Sequence, residues 1–456
     1  MQIQSKTNGD YSNGKMPRLI LGQAVPLALA QLVQLMYNIV DRIYIGHMPG
    51  EESAVALTGL GLCFPIITFI TAFINLISTG ASPLCSMDRG KQNKREAQSI
   101  MDTAFVSLIL ICLCLPLIIY IVQRPLLYLL GASDVTYTYA SEYLHVYILG
   151  TVFLGIGTGM NAFINLSGYP RIGMLTTVIG ACINLLLDPL FIFVLHMGVR
   201  GAATATVISQ FISAAWVLMF LLNKDRELHL SLLQLQVDFS LLKNIITLGA
   251  PGFIRNATTC LVQAVCNSTL SIHGGDSYIA IMTIINSVRE MVDLPLNGIT
   301  DGAKPVLSYN YGAKNYNRVK QGIRFTALNC FVYALLFWIT TMLFPGFFLR
   351  LFCSHEATVN LGLGPLKIYF MGFVFMSLQF AGQSAFVALG RARQAVFFSL
   401  FRKVIIVLPL TLLLPYIGNL GVLGVFAAEP ISNLIGGLAC FITMYFTTYR
   451  KLGSEK

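Results

Sequence analysis

Stretches of roughly 20 apolar residues, the length a helix needs to cross hydrocarbon, recur one after another from about residue 19 to about residue 447. The runs ending at Met48, beginning at Ala54 and covering Thr103 to Val122 are examples. Inside a bilayer a helix satisfies every backbone N–H and C=O within its own segment, so such a run has little choice of conformation. Charged residues make up 11% of the chain, against roughly 25% in soluble domains. That is too few to cover a water-facing surface, and mean hydropathy is +0.71. Twelve spans shared among 456 residues leave about 38 each, so the loops are short. The fold class expected is all-α integral membrane, with twelve transmembrane helices.

The net charge of +10 is not a nucleic-acid footprint, because Lys and Arg collect in alternate loops. Arg89, Lys91, Lys94 and Arg95 follow the second span, Arg171 the fourth, and Lys224 and Arg226 the sixth. Lys314, Arg318 and Lys320 follow the eighth, Arg391 and Arg393 the tenth, and Arg450 and Lys451 close the chain. Arg124, Arg200 and Arg350 are nearly all that the intervening loops offer. This positive-inside pattern predicts a multi-pass protein with both termini in the cytoplasm and no nucleic-acid partner. Met1 to Arg18 is polar and lacks the order of a signal peptide. The ten cysteines have neither metal-ligand nor redox spacing and read as small packing residues. No cofactor is expected.

The chain repeats itself at an offset of about 222 residues. Gly80-Ala81-Ser82-Pro83 matches Gly302-Ala303-Lys304-Pro305, Gly150 matches Gly372, and Gly168 matches Gly390. Gly198-Val199-Arg200-Gly201 matches Gly421-Val422-Leu423-Gly424, Ile208-Ser209 matches Ile431-Ser432, and Ala24-Val25-Pro26 echoes Gly249-Ala250-Pro251. Two halves of six spans share one orientation, as in parallel-repeat transporters related by an axis along the membrane normal. The domain reading is a tail at 1–18, a first lobe at 19–222, a linker at 223–242, a second lobe at 243–447 and a tail at 448–456. The linker, charged first and then alternating apolar and polar, is expected to lie on the membrane surface.

Ionisable residues inside spans cost about 2.5–3.5 kcal/mol each on insertion scales, so each calls for a reason. Asp41 lies in span one; Asn184 and Asp188 lie in span five, four residues apart and on one helix face. Pro189 cannot donate its hydrogen bond, which frees the Leu185 carbonyl. Counting roughly 1.5 Å per residue, Asp41, Asn184, Asp188 and Thr206 fall in one layer. Two carboxylates with neutral oxygens suit a proton or a hard cation such as Na⁺. In the second lobe Arg255 and Arg289 fall near mid-membrane and are candidates for a polar or anionic substrate group. Arg289 and Asp293 are spaced to pair along one helix face, and Glu429 precedes Pro430 with no partner evident. Tyr37, Asn38 and Met282 complete the candidate substrate contacts. Gly155-Ile156-Gly157-Thr158-Gly159 lacks the strand and Lys-Ser/Thr of a phosphate loop and reads as close helix packing.

These elements together resemble the multidrug and toxic compound extrusion (MATE) family, in its bacterial branches. The residues carrying the resemblance are Val40-Asp41, Tyr44-Ile45-Gly46-His47, Ser167-Gly168-Tyr169-Pro170-Arg171, and Asn184 through Asp188-Pro189-Leu190-Phe191-Ile192. Gly201 through Thr206, Gly302-Ala303-Lys304-Pro305, Tyr309 through Asn315, and Glu429-Pro430-Ile431-Ser432 continue it over essentially the whole chain. The resemblance implies two six-helix bundles that alternate between inward- and outward-open states. It implies export of amphipathic or cationic drug-like molecules coupled to H⁺ or Na⁺, with Asp41, Asn184, Asp188 and Thr206 as the cation site. It also implies a bacterial cytoplasmic membrane, and a monomer is expected. The alternative is a lipid-linked saccharide flippase of a related fold, favoured by Arg255 and Arg289. No clustered nucleophile or metal-ligand set points to an enzyme.

Overall fold

The structure, a computed structural model, describes residues 11–46, 53–130, 132–231, 235–353, 356–418 and 420–453. Within the helices, the side chains at 38–39, 41–43, 45–46, 53–58 and 276 lie outside that description. All regular structure among the described residues is helical. The long helices are α1 (Met16–Gly46), α2 (Ser53–Gly90) and α3 (Lys94–Leu129), followed by α4 (Asp134–Leu149 with Thr151–Leu166), α5 (Pro170–Val194) and α6 (Gly198–Leu221). Then come α7 (Phe239–Gly274), α8 (Asp276–Gly312), α9 (Tyr316–Leu343), α10 (Glu356–Phe370 with Phe373–Ala388), α11 (Ala392–Tyr416) and α12 (Val422–Tyr449).

Nine of these are long and apolar enough on their own to cross a membrane, and the two bent pairs, α4 and α10, make eleven. The twelfth, α8, is 37 residues long. Arg289, Glu290, Asp293, Asp301 and Lys304 keep it below any purely apolar threshold.

The bends realise the sequence repeat. Gly150 stands at the 57° break in α4, and Gly372 begins the second segment of α10 after a 44° break. Gly372 is needed for close approach: a Cβ there would meet Cα of Pro430 in α12 at 2.8 Å.

The chain divides into two compact units, Leu29–Gly249 and Tyr11–Ala28 with Ala250–Lys456. Phe163, Leu108, Ile74, Leu144 and Val217 centre the first core. Phe370, Phe373, Phe426, Val288 and Leu296 centre the second. Leu117, Ile121, Leu186, Met219, Ile272 and Leu336 point outward with more than half their surface exposed, as side chains facing hydrocarbon do. The glycine run is packing, as read: Gly155 through Gly159 widen into a π-turn against Cys112 and Leu108.

The linker is held against the first unit. Leu228 and Leu230 are buried in that unit's core, and the Leu230 amide donates to the Leu221 carbonyl at 2.7 Å. Arg89 Nη2 meets Glu227 Oε2 at 2.8 Å, and Arg226 stacks over Tyr169 and Phe220, each at 4.4 Å. Buried Asp102 accepts from the Gln236 amide at 3.0 Å and from Gln98 Nε2 at 2.9 Å. The buried charges of α2 and α3 draw the linker onto the protein, because each needs a partner. In the second unit, Arg318 donates to Asn310 Oδ1 at 2.9 Å and to the carbonyls of Gly14 at 2.9 Å and Tyr11 at 3.0 Å.

Candidate functional site

Among the described residues, a buried polar cluster bridges neighbouring helices in each unit. In the first, Asn184 Nδ2 donates to Asp188 Oδ1 at 3.2 Å and to Thr206 Oγ1 at 3.4 Å, so α5 and α6 are bridged by a single amide. Thr206 Oγ1 donates to the Ala202 carbonyl at 3.0 Å. Asn184 and Asp188 are each 1% exposed. The i, i+4 spacing puts the amide under the carboxylate, and Pro189 with the π-turn at Leu190–Val194 interrupts the helix just beyond it. A carboxylate, an amide and a hydroxyl buried together form an oxygen-rich set suited to a proton or a small hard cation.

Asp41 lies in α1, its side chain, like that of Asn38, outside the described residues. One turn further along α1, Tyr44 packs edge-on against Phe193 of α5, ring centroids 6.3 Å apart.

The second cluster centres on Glu429 of α12, 5% exposed. Its Oε1 receives Arg402 Nη1 at 2.9 Å, Lys403 Nζ at 3.2 Å and Arg289 Nη1 at 3.4 Å. Arg402 also donates to Asn433 Oδ1 at 2.6 Å. Arg289 reaches Asp293 Oδ2 at 3.3 Å and the Tyr369 hydroxyl at 3.0 Å. Arg402 and Lys403 sit in the π-turn Phe401–Val407 of α11, which brings both of these adjacent cations to Glu429.

Beside this cluster opens a cleft with about 410 Å³ of empty space, open solvent included. Arg289, Lys403, Glu429, Tyr369 and Met282 are among the residues lining it.

The candidates read from sequence therefore separate. Asn184, Asp188 and Thr206 meet in the first unit; Arg289, Asp293 and Glu429 meet in the second, with Met282 on the cleft wall. Arg255 stands apart, donating to Asn297 Oδ1 at 3.2 Å with its guanidinium 5.9 Å from the Phe380 ring. Tyr37 is half-buried in α1. Lys304 is occupied by Asp301 at 2.6 Å.

Glu429, partnerless in the sequence reading, has three partners, and two of them were overlooked there. Arg402 and Lys403 interrupt an otherwise uncharged, mostly apolar run from Val396 to Leu414, which was the available signal, since an unpaired cation at that depth is expensive.

Helices long and apolar enough to span a bilayer, a duplicated six-helix plan and a buried polar cluster in each unit describe a multi-pass membrane transport protein of the cell membrane. The MatE family model matches residues 26–190 and 251–413, one block in each half of the repeat, and the chain belongs to that family of transporters. Among curated relatives it is 23% identical to the multidrug export protein MepA of Staphylococcus haemolyticus (strain JCSC1435), over 93% of this chain and 92% of the relative. MepA of Staphylococcus aureus (strain MRSA252) is likewise 23% identical, over 92% of each.

Two solved structures share the fold at 21% identity. An outward-facing multidrug resistance MATE transporter aligns with TM-score 0.90, covering 97% of this chain and 99% of that one. A MOP superfamily transporter from Pyrococcus furiosus, described as having a binding pocket of reverse polarity, aligns with TM-score 0.90 over 98% of both chains.

Proposed function

We propose that the protein is a secondary active exporter of amphipathic, drug-like molecules, driven by inward movement of H⁺ or Na⁺ bound at Asp41, Asn184, Asp188 and Thr206. The observation that carries this reading is the buried Asn184–Asp188–Thr206 cluster in a membrane-spanning chain. Cation and substrate favour opposite conformations, so each expels the other; the coupling is reciprocal by linkage. Net inward movement of one charge supplies about 2.3 kcal/mol per 100 mV, and the cation's own concentration gradient adds to it. Both termini face the cytoplasm in this reading, and the working unit is a monomer.

The test is export of a fluorescent lipophilic cation from proteoliposomes, with a pH or a Na⁺ gradient imposed separately. Transport under one gradient alone identifies the coupling ion. Asp188→Asn and Asp41→Asn are each expected to abolish gradient-driven export while the protein still inserts and folds. Wild-type rates in both variants would sink the assignment. A lipid-linked saccharide flippase is the second reading, favoured by the three cations around Glu429. It predicts headgroup translocation with no imposed cation gradient, in the same vesicles.

A further inference from the structure

The two polar clusters occupy corresponding places in the repeat with opposite charge. The spacing of 223 that relates Gly201 to Gly424 and Ser209 to Ser432 sets Glu429 opposite Thr206. In the first unit that place holds a carboxylate, an amide and a hydroxyl. In the second, among the described residues, Arg289, Arg402 and Lys403 pair with the carboxylates of Glu429 and Asp293, one basic side chain more than acidic ones.

The excess is buried. The side chains of Lys403 and Arg402 are 3% and 5% exposed. Glu429 Oε1 already serves three donors. An uncompensated charge at such depth is costly, and a counter-anion relieves it.

The cleft is the place where such an anion fits. Arg289 and Lys403 stand on its wall, with the Tyr369 and Thr411 hydroxyls beside them and Met282, Val407 and Val425 supplying an apolar side. We propose that this cleft binds amphipathic organic monocarboxylates, the carboxylate on Arg289 and Lys403 and the apolar tail against Met282, Val407 and Val425. A single negative charge matches the single excess cation, and a guanidinium fork suits a planar carboxylate. The Glu429 carboxylate already models the contact within the protein. That the bound carboxylate is also exported rests on the exporter reading above.

The test uses the purified full chain, with thermal unfolding and titration calorimetry as readouts and three probes of one length: octanoate, octanamide and octylammonium. Octanoate is expected to raise the melting temperature, and the neutral amide and the cation are expected to leave it unchanged. Lys403→Met should weaken octanoate binding by at least about tenfold. Tyr369→Phe, which keeps every charge and guards against a Lys403→Met protein that fails to fold, should weaken it about fivefold. Equal protection by octanamide or octylammonium, or unchanged octanoate affinity in Tyr369→Phe and in folded Lys403→Met, overturns the proposal. Octanoate binding without export under either gradient upholds the site and counts against the exporter reading for this ligand. Export of a lipophilic cation by a protein that does not bind octanoate overturns the site and leaves the exporter reading standing.

Discussion

Glu429 and Asp188 are both buried carboxylates, but their surroundings predict different penalties for the same change. Glu429→Gln leaves Arg402 and Lys403 without their shared anion, the situation in which breaking a buried ion pair costs about 3–5 kcal/mol. The variant is expected to melt well below wild type in detergent, with reduced yield; an unchanged melting curve would show that the cations find other partners. Asp188→Asn keeps an acceptor for the Asn184 amide at 3.2 Å and should cost under about 1.5 kcal/mol, so its lost transport would be a functional effect. Sequence spacing was enough to see Asn184 and Asp188 as one feature, because i, i+4 on a helix is local geometry. Arg402 and Lys403 were harder, because their partner stands on the next helix, α12, and their shared direction depends on the π-turn at Phe401–Val407.

Among the elements, the breaks in α4 and α10 and the docked linker make separate predictions. Gly372→Val places methyl groups against the backbone of Pro430 and should cost about 1–3 kcal/mol, read as a lower melting temperature. Normal stability would mean that α10 and α12 can part there. The linker's hold on α3 depends on Asp102 and Ser99, which accept from the Gln236 amide and donate to the Gln236 carbonyl respectively. Asp102→Ala with Ser99→Ala is expected to speed trypsin cleavage after Lys224 or Arg226, about tenfold for each ~1.4 kcal/mol of local opening. Equal cleavage rates would show that the remaining contacts, among them Arg89–Glu227, Thr103–Asp238 and the buried Leu228 and Leu230, hold the segment. The glycine pair 150 and 372 was visible as a sequence match, but that it marks a bend in each half became visible only in the helices.

For the whole molecule, the membrane orientation is the property most open to direct test. Lys224→Cys, in the exposed start of the linker, is expected to react with a membrane-impermeant maleimide only after the cytoplasmic face is opened. Arg350→Cys is expected to react in intact cells. The reverse pattern would overturn the orientation read from the alternating Lys and Arg.

The class of fold was settled by the sequence itself, because a bilayer leaves a long apolar run no alternative to a helix, and six spans repeated make two like halves. The Asn184–Asp188 pairing was equally local. What the tertiary structure decided is everything that depends on a distant partner: the linker folded onto α2 and α3, the three cations gathered on Glu429, and the cleft beside them. The physical reason is that a buried charge must be compensated somewhere, and a single sequence says that a partner is owed without saying which helix supplies it.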